Sequence, residues 1–63
     1  MSAEQKFEKF RPIPTPALRV LLDSNRVIGG KLGIYDPRGM DALEDVAVIS
    51  DILRERGVDP DLR

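Results

Sequence analysis

Two groups of residues have types and spacing that could do chemistry. The first is Gly29-Gly30-Lys31-Leu32-Gly33, where three glycines surround a lysine. A glycine-rich loop with a lysine can cradle phosphate on its backbone amides, but the phosphate loop also needs GxxxxGK followed by Ser or Thr. Here Leu32 stands where the magnesium-holding hydroxyl belongs, and Asn25 occupies the position of the leading glycine. The GxGxxG spacing of dinucleotide sites is also absent, and 63 residues leave no room for the parallel sheet around either motif. The glycines therefore read as structural, permitting a tight reversal at Gly29-Gly30 and a close backbone approach at Gly33. Lys31 and Arg38 retain only the weak anion affinity of any surface cation.

The second group is acidic: Glu44 with Asp45, and Asp51 with Glu55 four residues apart on one helix face. Acid–base or metal chemistry would require these pairs to line a partly dry concavity, which a core this small hardly supplies. Asp59 and Asp61 have too few oxygen neighbours for a calcium loop. The chain has no histidine and no cysteine, which removes the commonest base, nucleophiles and transition-metal ligands. The candidates that remain are carboxylates, lysine, serine, threonine and Tyr35. The inventory predicts a protein that is not an enzyme, with no catalytic, cofactor-binding or metal-binding residues and no cofactor.

The elements that carry these residues must come from one small domain. Such a chain buries a smaller share of its surface than a larger one, and small scaffolds compensate with disulfides, metals or association. Without cysteine or histidine, association is the remedy left open. The formal charge of −1, from 10 basic and 11 acidic residues, provides no field toward nucleic acid or an anionic membrane. No apolar run approaches the roughly 20 residues of a membrane span, and a cytoplasmic location is expected.

Residues 1–14 read as a flexible N-terminal segment with a proline-rich spacer. Ser2 and Gln5 have capping-box spacing, and Phe7 and Phe10 would share one face of a short helix that Arg11-Pro12 ends. So short a helix is marginal alone; the segment either frays or orders against a surface. Prolines 12, 14 and 16 favour an extended conformation. Residues 15–58 form the single small domain. Thr15 caps a helix with Pro16 in its first turn and Leu18, Leu21 and Leu22 on its apolar side. Asp23-Ser24-Asn25 ends it, and a strand over 18–22 is the competing reading. Val27 to Tyr35 suit a β-hairpin folded about Gly29-Gly30, and Asp36-Pro37-Arg38-Gly39 has the pattern of a type I turn. A last helix runs from about Ala42 to Arg56. Asp41 and Glu44 are placed to cap it, and Gly57, Val58 and Pro60 stop it. Residues 59–63 form a loose tail. The expected class is mostly α, with α+β as the alternative: a helix–β-hairpin–helix unit completed by oligomerisation or a partner.

The last helix carries two apolar stripes. Ala42, Val46, Ile49 and Leu53 align on one, and Val48 and Ile52 form a second beside it. One packing partner needs only one stripe, so the second predicts another. Phe7, Phe10, Tyr35, Val48 and Ile52 are the candidate protein-interaction residues. The expected function is a small non-enzymatic protein–protein interaction module (an adaptor, inhibitor or accessory subunit) that binds itself or a larger protein through an apolar helix face. The alternative is a small dimeric DNA-binding regulator or antitoxin-like protein, using Arg11, Arg19, Arg26, Lys31 and Arg38. Nucleic acid is the less favoured partner and a membrane is not expected.

Overall fold

The computed structural model describes residues 2–61. Three helices follow one another: α1 (Ala3–Phe10), α2 (Thr15–Leu32) and α3 (Pro37–Glu55). α2 and α3 pack as a helical hairpin, and α1 packs on α3 while meeting α2 only marginally. The core gathers Phe10 of α1, Leu18 and Leu22 of α2, and Val48, Ile49, Ile52 and Leu53 of α3.

α1 begins as its sequence dictates. The Ser2 hydroxyl accepts from the Gln5 amide at 3.3 Å, and the Gln5 side chain accepts from the Ser2 amide at 3.0 Å. This reciprocal capping satisfies two otherwise orphaned donors. α1 is seated by Phe10 and Lys6, its two buried residues.

The expected β-hairpin, and with it the α+β alternative, is overturned: no strand occurs among the described residues. α2 runs unbroken through Asp23-Ser24-Asn25 and through Gly29-Gly30 to Leu32. The reason is tertiary. Leu18, Leu22 and Gly29 all face α3 only if residues 18–29 stay helical, and packing of that face outweighs the weak helix propensities of Val27, Ile28 and the glycines. The Asn25 amide donates to the Leu21 carbonyl four residues back at 2.9 Å, so its side chain bonds within the helix it was expected to end. The start of α2 also differs. Pro14 precedes the first turn with no side-chain cap, and the Thr15 hydroxyl accepts from Arg56 at 3.1 Å.

Glycine at 29 is a contact requirement. A Cβ there would lie 2.7 Å from Leu43 Cδ2 and 2.8 Å from its Cγ. Gly39, in the first turn of α3, faces the backbone carbonyl of Gly33, and a Cβ would collide with that oxygen. Gly33 ends α2 at φ +77°, its amide donating to the Gly29 carbonyl at 2.9 Å. Gly30 differs from its neighbours: it lies inside α2, and an added Cβ would meet nothing within 4 Å. Gly30→Ala should therefore raise stability by about 0.5–1 kcal/mol, the intrinsic helix preference of alanine. Chemical denaturation checks this, and a loss of stability would place residue 30 outside an unobstructed helix.

α3 starts five residues before the expected Ala42. Asp36 is its N-cap, accepting from the Arg38 amide at 2.9 Å, and Pro37 opens the first turn. A type I turn and the first turn of a helix use similar dihedrals, so the Asp-Pro-Arg-Gly signal serves both. Asp41 and Glu44 consequently lie inside the helix and do not cap it. At the other end the expectation holds. Gly57 takes φ +75°, its amide donates to the Arg54 carbonyl, and the Val58 amide reaches back to the Leu53 carbonyl, the paired bonds of a Schellman stop. The tail is tied at two points: Arg19 reaches the Asp59 carbonyl at 3.5 Å, and Arg26 pairs with Asp61 at 2.8 Å. Residues 62 and 63 of the expected loose tail lie outside the described residues.

Candidate functional site

Four of the five expected interaction residues meet at one place, the seam between α1 and α3. Phe10, Val48 and Ile52 share the buried core cluster, and Phe7 packs half-buried against it. The second stripe of α3 is thus satisfied within the chain: Val48 is 5 % and Ile52 2 % exposed. Phe10 of the N-terminal helix and Leu18 and Leu22 of α2 share the core with both. Tyr35 stands apart, 97 % exposed in the α2–α3 connection.

Lys6 is the residue that sequence reasoning missed. Its side chain is only 2 % exposed, and its ammonium lies 2.7 Å from Asp41 Oδ1, 2.9 Å from Asp45 Oδ1 and 3.2 Å from Glu44 Oε2. It also donates to the Asp41 carbonyl at 3.1 Å. Burial alone would lower the lysine pKa, but hydrogen bonds to Asp41, Asp45 and Glu44 outweigh it and hold the ammonium well above its ordinary range. The Asp41 carboxyl is correspondingly lowered, chiefly by its hydrogen bond to Lys6. A signal for this arrangement existed. Residues 41, 44 and 45 have the spacing of one helix face, and Lys6 lies four residues from Phe10 on the buried side of α1.

Beside Lys6 a groove of about 420 Å³ opens along the seam. Ala3 and Phe7 line it from α1, Ala47 and Val48 from α3, with Glu44 and Asp51 supplying carboxylates. Lys6 is already engaged by three carboxylates. The remaining acidic candidates are also paired: Asp51 with Arg54 at 3.2 Å, and Glu55 with Arg11 at 3.8 Å. Among the described residues, no group of three or more acidic residues is arranged to hold a metal ion.

The basic residues considered for nucleic acid are largely engaged with acidic or carbonyl oxygens. Arg11 meets Glu55, Arg19 the Asp59 carbonyl, Arg26 Asp61 and Arg38 Asp36. The Asp36 carboxyl is lowered by its hydrogen bonds from the Arg38 side chain and amide.

Most of the large apolar side chains left in solvent lie toward the α2–α3 end. They are Val27, Ile28 and Leu32 on the last turns of α2, Ile34 and Tyr35 in the connection, and Met40 and Leu43 on the first turns of α3. Val27, Ile28, Leu32, Ile34 and Tyr35 belong to the segment expected as a β-hairpin. Among the described residues no helix is long and apolar enough to cross a membrane. No protein-family model, no curated protein and no solved structure matches the chain.

Proposed function

We propose that this chain is a non-enzymatic protein–protein interaction module that inserts its α2–α3 corner into an apolar cleft of another protein. The observation that carries the reading is the exposure of Tyr35, in the α2–α3 connection, together with that of Ile34, Met40, Val27 and Ile28. Burying one such side chain contributes roughly 1.5–3 kcal/mol. Leaving several in water forgoes much of what a chain of this size can gain, since net stability scales at about 0.05–0.15 kcal/mol per residue. A tyrosine at the tip of a turn suits a pocket, because buried aromatic anchors dominate interface energy.

A photo-crosslinking amino acid at position 35, compared with the same group at exposed position 23, tests the reading in the native host. A discrete crosslinked protein is expected from position 35 alone, and its yield should fall at least several-fold with Ile34→Asp or Met40→Asp. Equal crosslinking from both positions, or none from position 35, would overturn it.

A further inference from the structure

We propose that α1 is an exchangeable element: two copies of this chain trade α1, each seating its Lys6 and Phe10 on the α3 of the other. Four observations support this inference, which does not depend on the function proposed for the α2–α3 corner. The receptor and its occupant are chemically matched, with one ammonium set against three carboxylates beside an aromatic ring in the α3 core. The seat is open on one side, where a groove of about 420 Å³ runs beside the α1–α3 seam. α1 is separable: it has eight residues, its packing is on α3, and six of the seven core-cluster residues belong to the α2–α3 hairpin.

The fourth observation is the hinge. Arg11 has φ −55° and ψ −41°, a helical conformation, immediately before Pro12. A following proline disfavours that region and favours extended backbone. The closed chain nevertheless turns here, the Ile13 amide donating to the Phe10 carbonyl at 3.0 Å. Pro12 and Pro14 both favour an extended path, so the intrinsic preference of residues 11–14 is for an open hinge. An open hinge moves α1 off its own α3 and leaves an identical seat on a second copy as its match. The closed form retains the advantage of a short tether, equivalent to roughly millimolar local concentration. Exchange should therefore appear in concentrated samples and on refolding.

The chain has no cysteine, so single cysteines can carry dyes. Ala3 and Asp51 line the same groove from opposite helices. Full-length Ala3→Cys carrying a donor and full-length Asp51→Cys carrying an acceptor would be unfolded together, refolded at rising concentration, and read for energy transfer and mass. Transfer between chains is expected together with a species of twice the 7.1 kDa chain mass, and Pro12→Ala should reduce both several-fold. A constant monomer mass without transfer overturns the proposal, as does a dimer whose formation Pro12→Ala leaves unchanged, which would use another surface. A matched pair gives a second test. Lys6→Glu and the double variant Asp41→Lys, Asp45→Lys each mismatch their own seat but fit each other, so mixing them should give a heterodimer while each alone stays monomeric. Failure of the mixture to associate while both retain helical circular dichroism would also overturn it.

Discussion

Gly39→Ala should destabilise the fold by about 3 kcal/mol or more, the upper part of the range for overpacking a tight contact. The added methyl meets the Gly33 carbonyl, a backbone atom at the turn between α2 and α3 that no rotamer change can move. Alanine gains about 1 kcal/mol of helix preference over glycine, which does not offset the collision. For a chain whose whole stability is about 3–9 kcal/mol by per-residue scaling, the loss should be visible as a large fall in denaturation midpoint. Gly29→Ala should cost less, because the obstruction there is the Leu43 side chain, which can shift. With Gly30→Ala stabilising, the three substitutions form an ordered series from one type of change. A neutral Gly39→Ala would mean that α2 and α3 do not approach at Gly33 as described.

Lys6→Glu should release α1 from α3. It places a fourth carboxylate where three already converge and removes the cation that pairs with all three. The expected result is loss of roughly one short helix by circular dichroism and a fall in Tm of roughly 8–15 °C, the scale for a small domain losing about one to two kcal/mol. That range is modest because Asp41 and Glu44 are more than half exposed, so solvent screens much of their attraction. Lys6→Met keeps the apolar stem and should fall between wild type and Lys6→Glu. Equal Tm values for all three would remove the ion cluster from the docking of α1.

The same cluster fixes the pH response of α1. The Asp41 pKa is depressed in the folded chain, so its contribution is fully present above the unfolded value, near 4, and is lost as pH falls through the folded value. The Lys6 pKa is raised, so its contribution is fully present below the unfolded value, about 10.4, and is lost only as pH rises through the higher folded value. α1 should thus stay docked from about pH 5 to pH 10 and loosen at the acid end. Fluorescence of a probe at Ala3→Cys would follow it; loosening between pH 6 and 8 would contradict the assignment.

The elements legible in the sequence were those whose signals are local. The capping box at Ser2 and Gln5, the Schellman stop at Gly57 and Val58, and the helical pattern of residues 42–55 involve residues within a turn or two of each other, and all three are present in the fold. The two stripes of α3 were also legible, because helical periodicity alone defines them. What covers the second stripe was not, since Phe10 joins Val48 and Ile52 in the core from a part of the chain about forty residues away.

The middle of the chain shows the opposite case. Val27, Ile28, Gly29 and Gly30 have local preferences for strand and turn, and composition alone determined only that residues 23–35 were poor helix. Tertiary structure decided that they are helix: Gly29 supplies the space that Leu43 occupies, and Leu18 and Leu22 need the same helical face against α3. Likewise, charge counting fixed a near-neutral chain, but only the packing of α1 on α3 brought Lys6 to Asp41, Glu44 and Asp45. Propensity acts over a few residues at fractions of a kcal/mol each, whereas a shared core sums many contacts between distant residues. Where the two conflict, as in α2, the core decides.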